Sequence, residues 1–226
     1  MQSKSLKPQH QRLTRDFFNR PTLSVARDLL GKNLVRLEDD LRLSGIITET
    51  EAYIGEQDQG CHARVGLTPR TQVMFGPPGR AYVYFTYGMH WMLNFVTEPG
   101  GMPAAVLIRA IKAQEGLKVI AARRGKQPQK HWTDGPAKIC QALGITGSDN
   151  GTDLCQPNAH IFVETGETIP DSAVTTGPRV GLNSVPEPWK SMPWRFLTTE
   201  ITKITKNNYF SKNAQPKLQS ESSKHE

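Results

Sequence analysis

The sequence predicts an α+β fold, a single mixed domain in which strands and helices are grouped instead of alternating. Two observations carry this. Alternating or continuous apolar runs typical of strands recur at 45–54, 81–86, 91–96 and 104–111, without a helix between each pair. Helix punctuation is confined to the first 31 residues and to the stretch between 114 and 143. No Ser/Gly-rich linker and no internal repeat divides the 226 residues. One domain over residues 13–206 is therefore expected, between a basic N-terminal stretch (1–12) and a polar tail (207–226) predicted to be disordered.

Taken in order, Thr14 predicts the cap of a short helix through Asn19 that Pro21 stops, and a second helix runs from Thr22 to Leu30 with Gly31 as its end signal. Strands follow at Asn33–Leu37 and Gly45–Ile54. In the second, strict alternation would place Ile47, Glu49, Glu51 and Tyr53 on one face, with Ile46, Thr48, Thr50 and Ala52 on the other. VMFGPPGR reads as a turn. Ala81–Thr86 and Trp91–Val96 form a predicted hairpin with Gly88 in its turn. Ala104–Ile111 is a further strand, Gln114–Arg123 and Gly135–Leu143 are helices, and short strands are expected at Ile161–Glu164, Arg179–Gly181 and Arg195–Thr198.

Composition excludes several classes of function. With 37% hydrophobic and 22% charged residues a packed core is expected, and no apolar run approaches the ~20 residues that span a bilayer. The polar, basic start MQSKSLKPQHQR has no apolar core of a secretory signal. Three scattered cysteines, Cys61, Cys140 and Cys155, suit neither a disulfide framework nor a zinc site, so a reducing, cytoplasmic compartment is expected. Walker A, dinucleotide-binding, HExxH and GxSxG signatures are all absent from the sequence. The net charge of +7 is unevenly spread: residues 61–140 hold eleven basic and three acidic residues, between flanks in which acidic residues outnumber basic ones. One positively charged face follows, suited to an anionic partner such as nucleic acid, although charge alone fits an ordinary solvated face as well.

The residues that suggest chemistry lie in this middle region and just before it. Glu51 shares a strand face with Tyr53, which fits an ordinary solvent-facing strand carboxylate and, more sharply, a partly desolvated general base in a cleft; Glu49 competes for that role and spacing does not choose between them. Six of the 17 aromatic residues fall in the fourteen-residue run YVYFTYGMHWMLNF. That density fits an aromatic core, but tyrosines Tyr82, Tyr84 and Tyr87 also offer stacking platforms for a nucleobase. Asn94 stands where an apolar residue would suit the strand, His62 lies in a loop with Arg64, and Arg109 is a charge inside the apolar run AVLIRAIK. Arg64, Thr68 and Arg70 form a cluster fit for phosphate. Taken alone, these features describe a nucleic-acid-binding α+β domain. A base-stacking module without chemistry and a hydrolase of small nucleosides remain alternatives.

In chain order, ETEAYIG, His62, TPR, MFGPPG, YVYFTYGMHWMLN, VLIRA, GPAKICQALGI, GPRVGL and PWRF resemble the alkyladenine (3-methyladenine) DNA glycosylases of the mammalian type, and the GPPG and YGMHW wording resembles the bacterial members most. The resemblance runs from about Leu13 to Phe196. It implies a curved antiparallel sheet with a protruding β-hairpin at the DNA face. It also implies a monofunctional glycosylase that flips 3-methyladenine, hypoxanthine or ethenoadenine out of double-stranded DNA and hydrolyses the N-glycosidic bond, with no metal or cofactor. By resemblance Glu51, not Glu49, is the base and Arg109 holds the attacking water, aided by a backbone carbonyl near Val180. Tyr53, His62 and Tyr84 receive the flipped base, Asn94 crowds the guanine amino group, and Tyr87 is the wedge, flanked by Met89 and His90. Mammalian members have tyrosine at the position of His90. Arg64, Thr68, Arg70 and Lys138 are phosphate candidates, Lys138 near a helix start at Gly135–Pro136. A monomer, soluble and facing DNA alone, is expected.

Overall fold

A computed structural model describes residues 10–199; the N-terminal stretch before His10 and the expected polar tail at 207–226 lie outside the described residues. Eight strands form one open antiparallel sheet. They are β1 (Asn33–Glu38), β2 (Leu41–Ile54), β3 (Ala81–Thr86), β4 (His90–Val96), β5 (Ala104–Glu115), β6 (Ile161–Glu164), β7 (Thr175–Gly177) and β8 (Arg195–Leu197). The order is β3-β4-β5-β2-β1-β6, and β8 pairs with β2 and with β7. β2 is the central strand. Its first half pairs with β1, its second half with β8, and β5 runs along the other side.

Four helices accompany the sheet: α1 (Arg15–Phe18), α2 (Thr22–Asp28), α3 (Leu117–Arg124) and α4 (Pro136–Leu143). Phe18, Val25 and Leu29, from α1, α2 and the turn after it, join Ile139, Cys140 and Leu143 of α4 and Ala52, Phe95, Val106 and Ile108 of the strands in the main core. The Thr50 hydroxyl donates to the Ala26 carbonyl at 2.7 Å and ties α2 to β2. The opposite face of β3, β4 and β5 carries a second, smaller cluster of Cys61, Ala63, Met74, Tyr82, Val96 and Ala105. There the long connection from β2 to β3 folds back over the sheet. No helix among the described residues is long and apolar enough to cross a membrane.

The expected alternation of β2 fails at one point. Thr48 has no partner on β5, and Arg109 has none on β2, so each strand carries one extra residue at the same level. Ile47 and Thr50, three residues apart, consequently both turn to the core side, as do Ile108 and Ile111. Ile47 does not share the face of Glu49, Glu51 and Tyr53. The paired bulges bring Arg109 beside both glutamates. Two other expectations are corrected. β5 continues to Glu115, and the following helix starts at Leu117 instead of Gln114, because Gly116 makes the corner at φ +70, where a Cβ would press within 2.9 Å of Leu43. Arg179–Gly181 is not a strand; the short strand lies earlier, at Thr175–Gly177, and the Arg179 side chain is taken up by ion pairing.

The β3–β4 hairpin closes through Tyr87 and Gly88, both with positive φ (52° and 66°), the pattern of a turn matched to strand twist. Tyrosine at the first of these costs about 1–2 kcal/mol relative to its ordinary conformations. Tyr87 is 78% exposed and recovers little of that by packing. Replacing Tyr87 with Gly is therefore expected to raise the unfolding free energy by about 1 kcal/mol, less any cost of a floppier denatured chain. Urea or thermal unfolding of the Y87G protein measures it, and a clear loss of stability would show that the ring is packed in solution.

Candidate active site

Alternate residues of three adjacent strands point to the face away from the helices. Tyr82, Tyr84 and Thr86 of β3, Met92 and Asn94 of β4, and Ala105, Leu107 and Arg109 of β5 line a cavity of about 380 Å³. Tyr53, the 60–62 loop and the Val180–Leu182 segment close its other walls. The size lies within the ~300–1,000 Å³ range of small-ligand sites.

Glu51 lies just behind this wall and has no exposed surface. Each group that holds it also lines the cavity. Oε1 accepts the Val180 backbone N–H at 2.6 Å and stands 3.2 Å from Arg109 Nε. Oε2 accepts the Tyr53 hydroxyl at 2.9 Å. Burial pushes the Glu51 carboxyl above the usual carboxylate range; Arg109, the Val180 amide and the Tyr53 hydroxyl pull it back, and Glu49 adds a small upward push. An ionised carboxylate has about four lone-pair positions, so this set leaves room for one further partner.

Glu49 is in a different state. Its Oε1 accepts from Arg109 Nε at 2.9 Å and from Arg195 Nε at 2.7 Å. Bound between two guanidiniums, it is an anchor for Arg109. Burial works against the Arg109 charge, yet Glu51 and Glu49 outweigh it and raise its pKa, so the cation is secure.

The aromatic wall is built edge to face. The His62 and Tyr84 rings are 4.4 Å apart at 76°, and Tyr82 lies 5.4 Å from Tyr84. His62 Nδ1 is 3.0 Å from the Tyr82 hydroxyl. Burial, with Arg70 and Arg64 adding repulsion, lowers the His62 pKa to about 4, so the ring is neutral at physiological pH. Burial also raises the Tyr53 and Tyr84 hydroxyls, which stay protonated. Asn94, nearly buried, donates from Nδ2 to the Tyr82 carbonyl at 3.0 Å, which fixes its side chain at the cavity wall. Cys61 also lines the cavity, but burial holds its thiol at about 12, so it offers no thiolate.

The hairpin tip stands at the cavity edge. Tyr87 lines it, and Met89 (67% exposed) and His90 are on the outer surface. Arg70 sits over the Tyr84 ring, 5.3 Å from its centroid, and Arg64 is exposed on the same loop. The other two phosphate candidates are engaged within the protein. Thr68 exchanges hydrogen bonds with Thr71, and Lys138 pairs with Asp134 at 2.7 Å beside the N-terminus of α4. Among the described residues no group of three or more His, Cys, Asp or Glu side chains is placed to hold a metal ion.

Sequence reasoning missed three contributors. Arg195 braces Glu49, and Asp58 with Arg179 forms an ion pair with no exposed surface behind Tyr53. Arg179 stood within the motif GPRVGL and Arg195 within PWRF, but nothing local showed that partners lie 121 and 146 residues away. Pro136 joins the cavity wall through folding alone.

Residues 16–201 match the family model described as methylpurine-DNA glycosylase (MPG). A protein of Myxococcus xanthus, provisionally named 3-methyladenine DNA glycosylase, is 46% identical over 194 residues, covering 86% of this chain and 93% of its own. A protein of the same provisional name from Methanocella arvoryzae is 49% identical over 195 residues, covering 86% and 96%. The chain belongs to the methylpurine-DNA glycosylase family, enzymes that hydrolyse N-glycosyl bonds in DNA repair.

Proposed function

We propose that this chain removes 3-methyladenine, hypoxanthine and ethenoadenine from double-stranded DNA by base flipping and hydrolysis with water activated by Glu51, leaving an abasic site in base excision repair. The observation that carries it is a fully buried carboxylate, held by Arg109, the Val180 amide and the Tyr53 hydroxyl, behind an aromatic cavity with an exposed tyrosine at its rim.

The steps follow from the residues. Flipping costs a few kcal/mol, least at a damaged pair. Tyr87, standing out at the hairpin tip, fills the vacated stack, with Met89 and His90 against the groove. The flipped purine enters between Tyr53 and the His62–Tyr84 wall. A purine methylated at N3 is cationic, and a neutral His62 with electron-rich tyrosine faces attracts it without charge repulsion; the neutral hypoxanthine and ethenoadenine rings are held by stacking on the same faces. Asn94, pinned by Tyr82, occupies the space that a guanine 2-amino group would need.

The incoming nucleotide brings a water to the one lone-pair position that Glu51 has left, while the Tyr53 hydroxyl and the Val180 amide keep their bonds to the carboxylate. Glu51 takes the water's proton as its oxygen bonds to C1′, and the electron pair of the N-glycosidic bond leaves with the base. Arg109 holds the water and keeps Glu51 ionised despite its burial. The logic is that of an inverting glycosidase, with the water on the side opposite the leaving group. Arg64 and Arg70 contact phosphates beside the cavity, and Thr68 and Lys138 contribute through the loop and helix ends they hold.

Three outcomes test this. Single-turnover release from duplexes with one ethenoadenine or hypoxanthine is expected to fall about 10²–10⁴-fold in E51Q while lesion binding persists; two proteins that bind alike and both leave the base in place would reduce the chain to a binding module. The rate requires ionised Glu51, so it falls as pH drops through the raised Glu51 pKa. The Tyr53 hydroxyl lowers that pKa, so Y53F moves the acid limb of the rate profile to higher pH; a limb that stays or moves down overturns the contact's role. Replacing Arg64 with Ala is expected to weaken damaged and undamaged DNA alike and reduce the slope of log K against log salt by about 0.9, as for one lost phosphate contact; an unchanged slope removes Arg64 from the DNA face.

A further inference from the structure

Behind Tyr53 lies an ion pair outside the reaction itself, Arg179–Asp58, with both side chains wholly buried.

We propose that the Arg179–Asp58 pair is the positioning element of the reaction, fixing the backbone at Val180 and the ring of Tyr53, which together with Arg109 hold Glu51. This rests on the reading of Glu51 as the base. Both side chains have 0% exposure, and they bond as a two-pronged pair, Nη1 to Oδ2 at 2.5 Å and Nη2 to Oδ1 at 2.8 Å. Each also binds backbone. Arg179 donates from Nη1 to the carbonyl of Ala52, the residue after Glu51, at 3.0 Å, and from Nη2 to that of Trp189 at 3.2 Å. Asp58 accepts the N–H groups of Ile54 and Gly60. The guanidinium lies over the rings of Tyr53 and Trp194, 4.7 and 5.0 Å from their centroids. Gly60 admits it: a Cβ there would come within 3.0 Å of Arg179 Nη2 and 2.8 Å of Leu182.

The pair thus joins the end of β2, the 58–60 loop and the segment from 179 to 194. That segment has no strand or helix between β7 and β8 to hold it. Val180 follows Arg179 directly, and its N–H is the short contact on Glu51. An apolar pair of similar volume often stabilises a core as well as a buried ion pair does, so stability alone is a weak reason for two buried charges here. Geometry is a stronger one: a planar fork makes four directed bonds that a lysine cannot reproduce.

The consequence reaches the base through hydrogen bonds. The Val180 and Tyr53 contacts both oppose the burial of Glu51. The other charged or titratable groups facing Glu51 are Arg109 from β5, Glu49 from β2 and Tyr84 from β3, with Arg195 of β8 behind Glu49. None of them is altered by a change at 179. Loosening residue 180 therefore leaves Glu51 harder to ionise and less well aimed.

Two variants test this in the full chain. R179K keeps a cation opposite Asp58, and D58N/R179M removes both charges so that neither is buried alone. Lesion-DNA affinity is expected to stay within about threefold, while single-turnover release at neutral pH falls about tenfold to 100-fold, the scale of small misplacements at a reacting centre. The acid limb is expected to move to higher pH in both, further in the double variant. A folded R179K protein with wild-type rate and wild-type acid limb overturns the proposal, even if the double variant does not fold. If E51Q is inactive and R179K is normal, only the positioning role fails. If E51Q retains full activity, the reading of Glu51 itself fails.

Discussion

A carboxylate without access to water needs other partners, and much of this molecule is arranged around that need at Glu51. Its position on the central strand β2 removes it from solvent. Burial alone would favour the neutral acid. Arg109, the Val180 amide and the Tyr53 hydroxyl oppose that tendency from three separate elements. Arg109 is itself steadied by Glu49, and Glu49 by Arg195. Charge is thus balanced over a small chain of alternating signs, anion, cation, anion, cation, reaching from the cavity to β8. Breaking one partner of such a chain leaves another buried and unpaired, which is costly.

The sheet contributes direction. One face is committed to the helices, so the other is free for polar and aromatic side chains that a two-sided core would not accept. The extra residues at Thr48 and Arg109 make this division possible in the longest strands. Without that half-step, a strand with Ile47 in the core would turn Glu51 toward α2 as well. The same face carries the hairpin whose tip holds tyrosine in a left-handed conformation. Local strain of this kind persists only where the surroundings enforce it, and it is commonly found at sites of function.

Much of the fold was legible because its signals are local. The hairpin at 81–96, the helix ending at Leu143 and the short strand at Ile161–Glu164 have residue patterns that act over a few positions. The α+β class followed from their grouping. The bulge was not legible: an inserted residue leaves the alternating pattern of ETEAY intact, and only the partner strand shows the slip at Thr48. The corner at Gly116 was hidden for a related reason, since the polar stretch KAQE before it suits a helix start as well as the end of a strand. At the site, Tyr53, His62, Tyr84, Tyr87, Asn94 and Arg109 line the cavity with Glu51 behind them, whereas Arg64, Thr68, Arg70, Met89, His90 and Lys138 are not among its lining residues. The support behind them, Asp58, Arg179 and Arg195, depends on pairings more than a hundred residues apart and leaves no local mark. The bonds of Thr68 and Lys138, by contrast, run to Thr71 and Asp134, three and four positions away, and their spacing is written in the sequence.

The order in which the parts of this site are synthesised has a consequence of its own. Glu51, Tyr53, His62 and the hairpin all belong to the first half of the chain, and Arg109 follows soon after. Val180, which supplies the short bond to Glu51, comes from the last quarter of the described residues, in a stretch that docks by long-range contacts alone. Such contacts form late, because distant parts of the chain must first be brought together. A chain folding from its N-terminus thus has most of the aromatic cavity wall in place before Glu51 receives its shortest hydrogen bond, and the carboxylate is fully held only once the segment after β7 has docked.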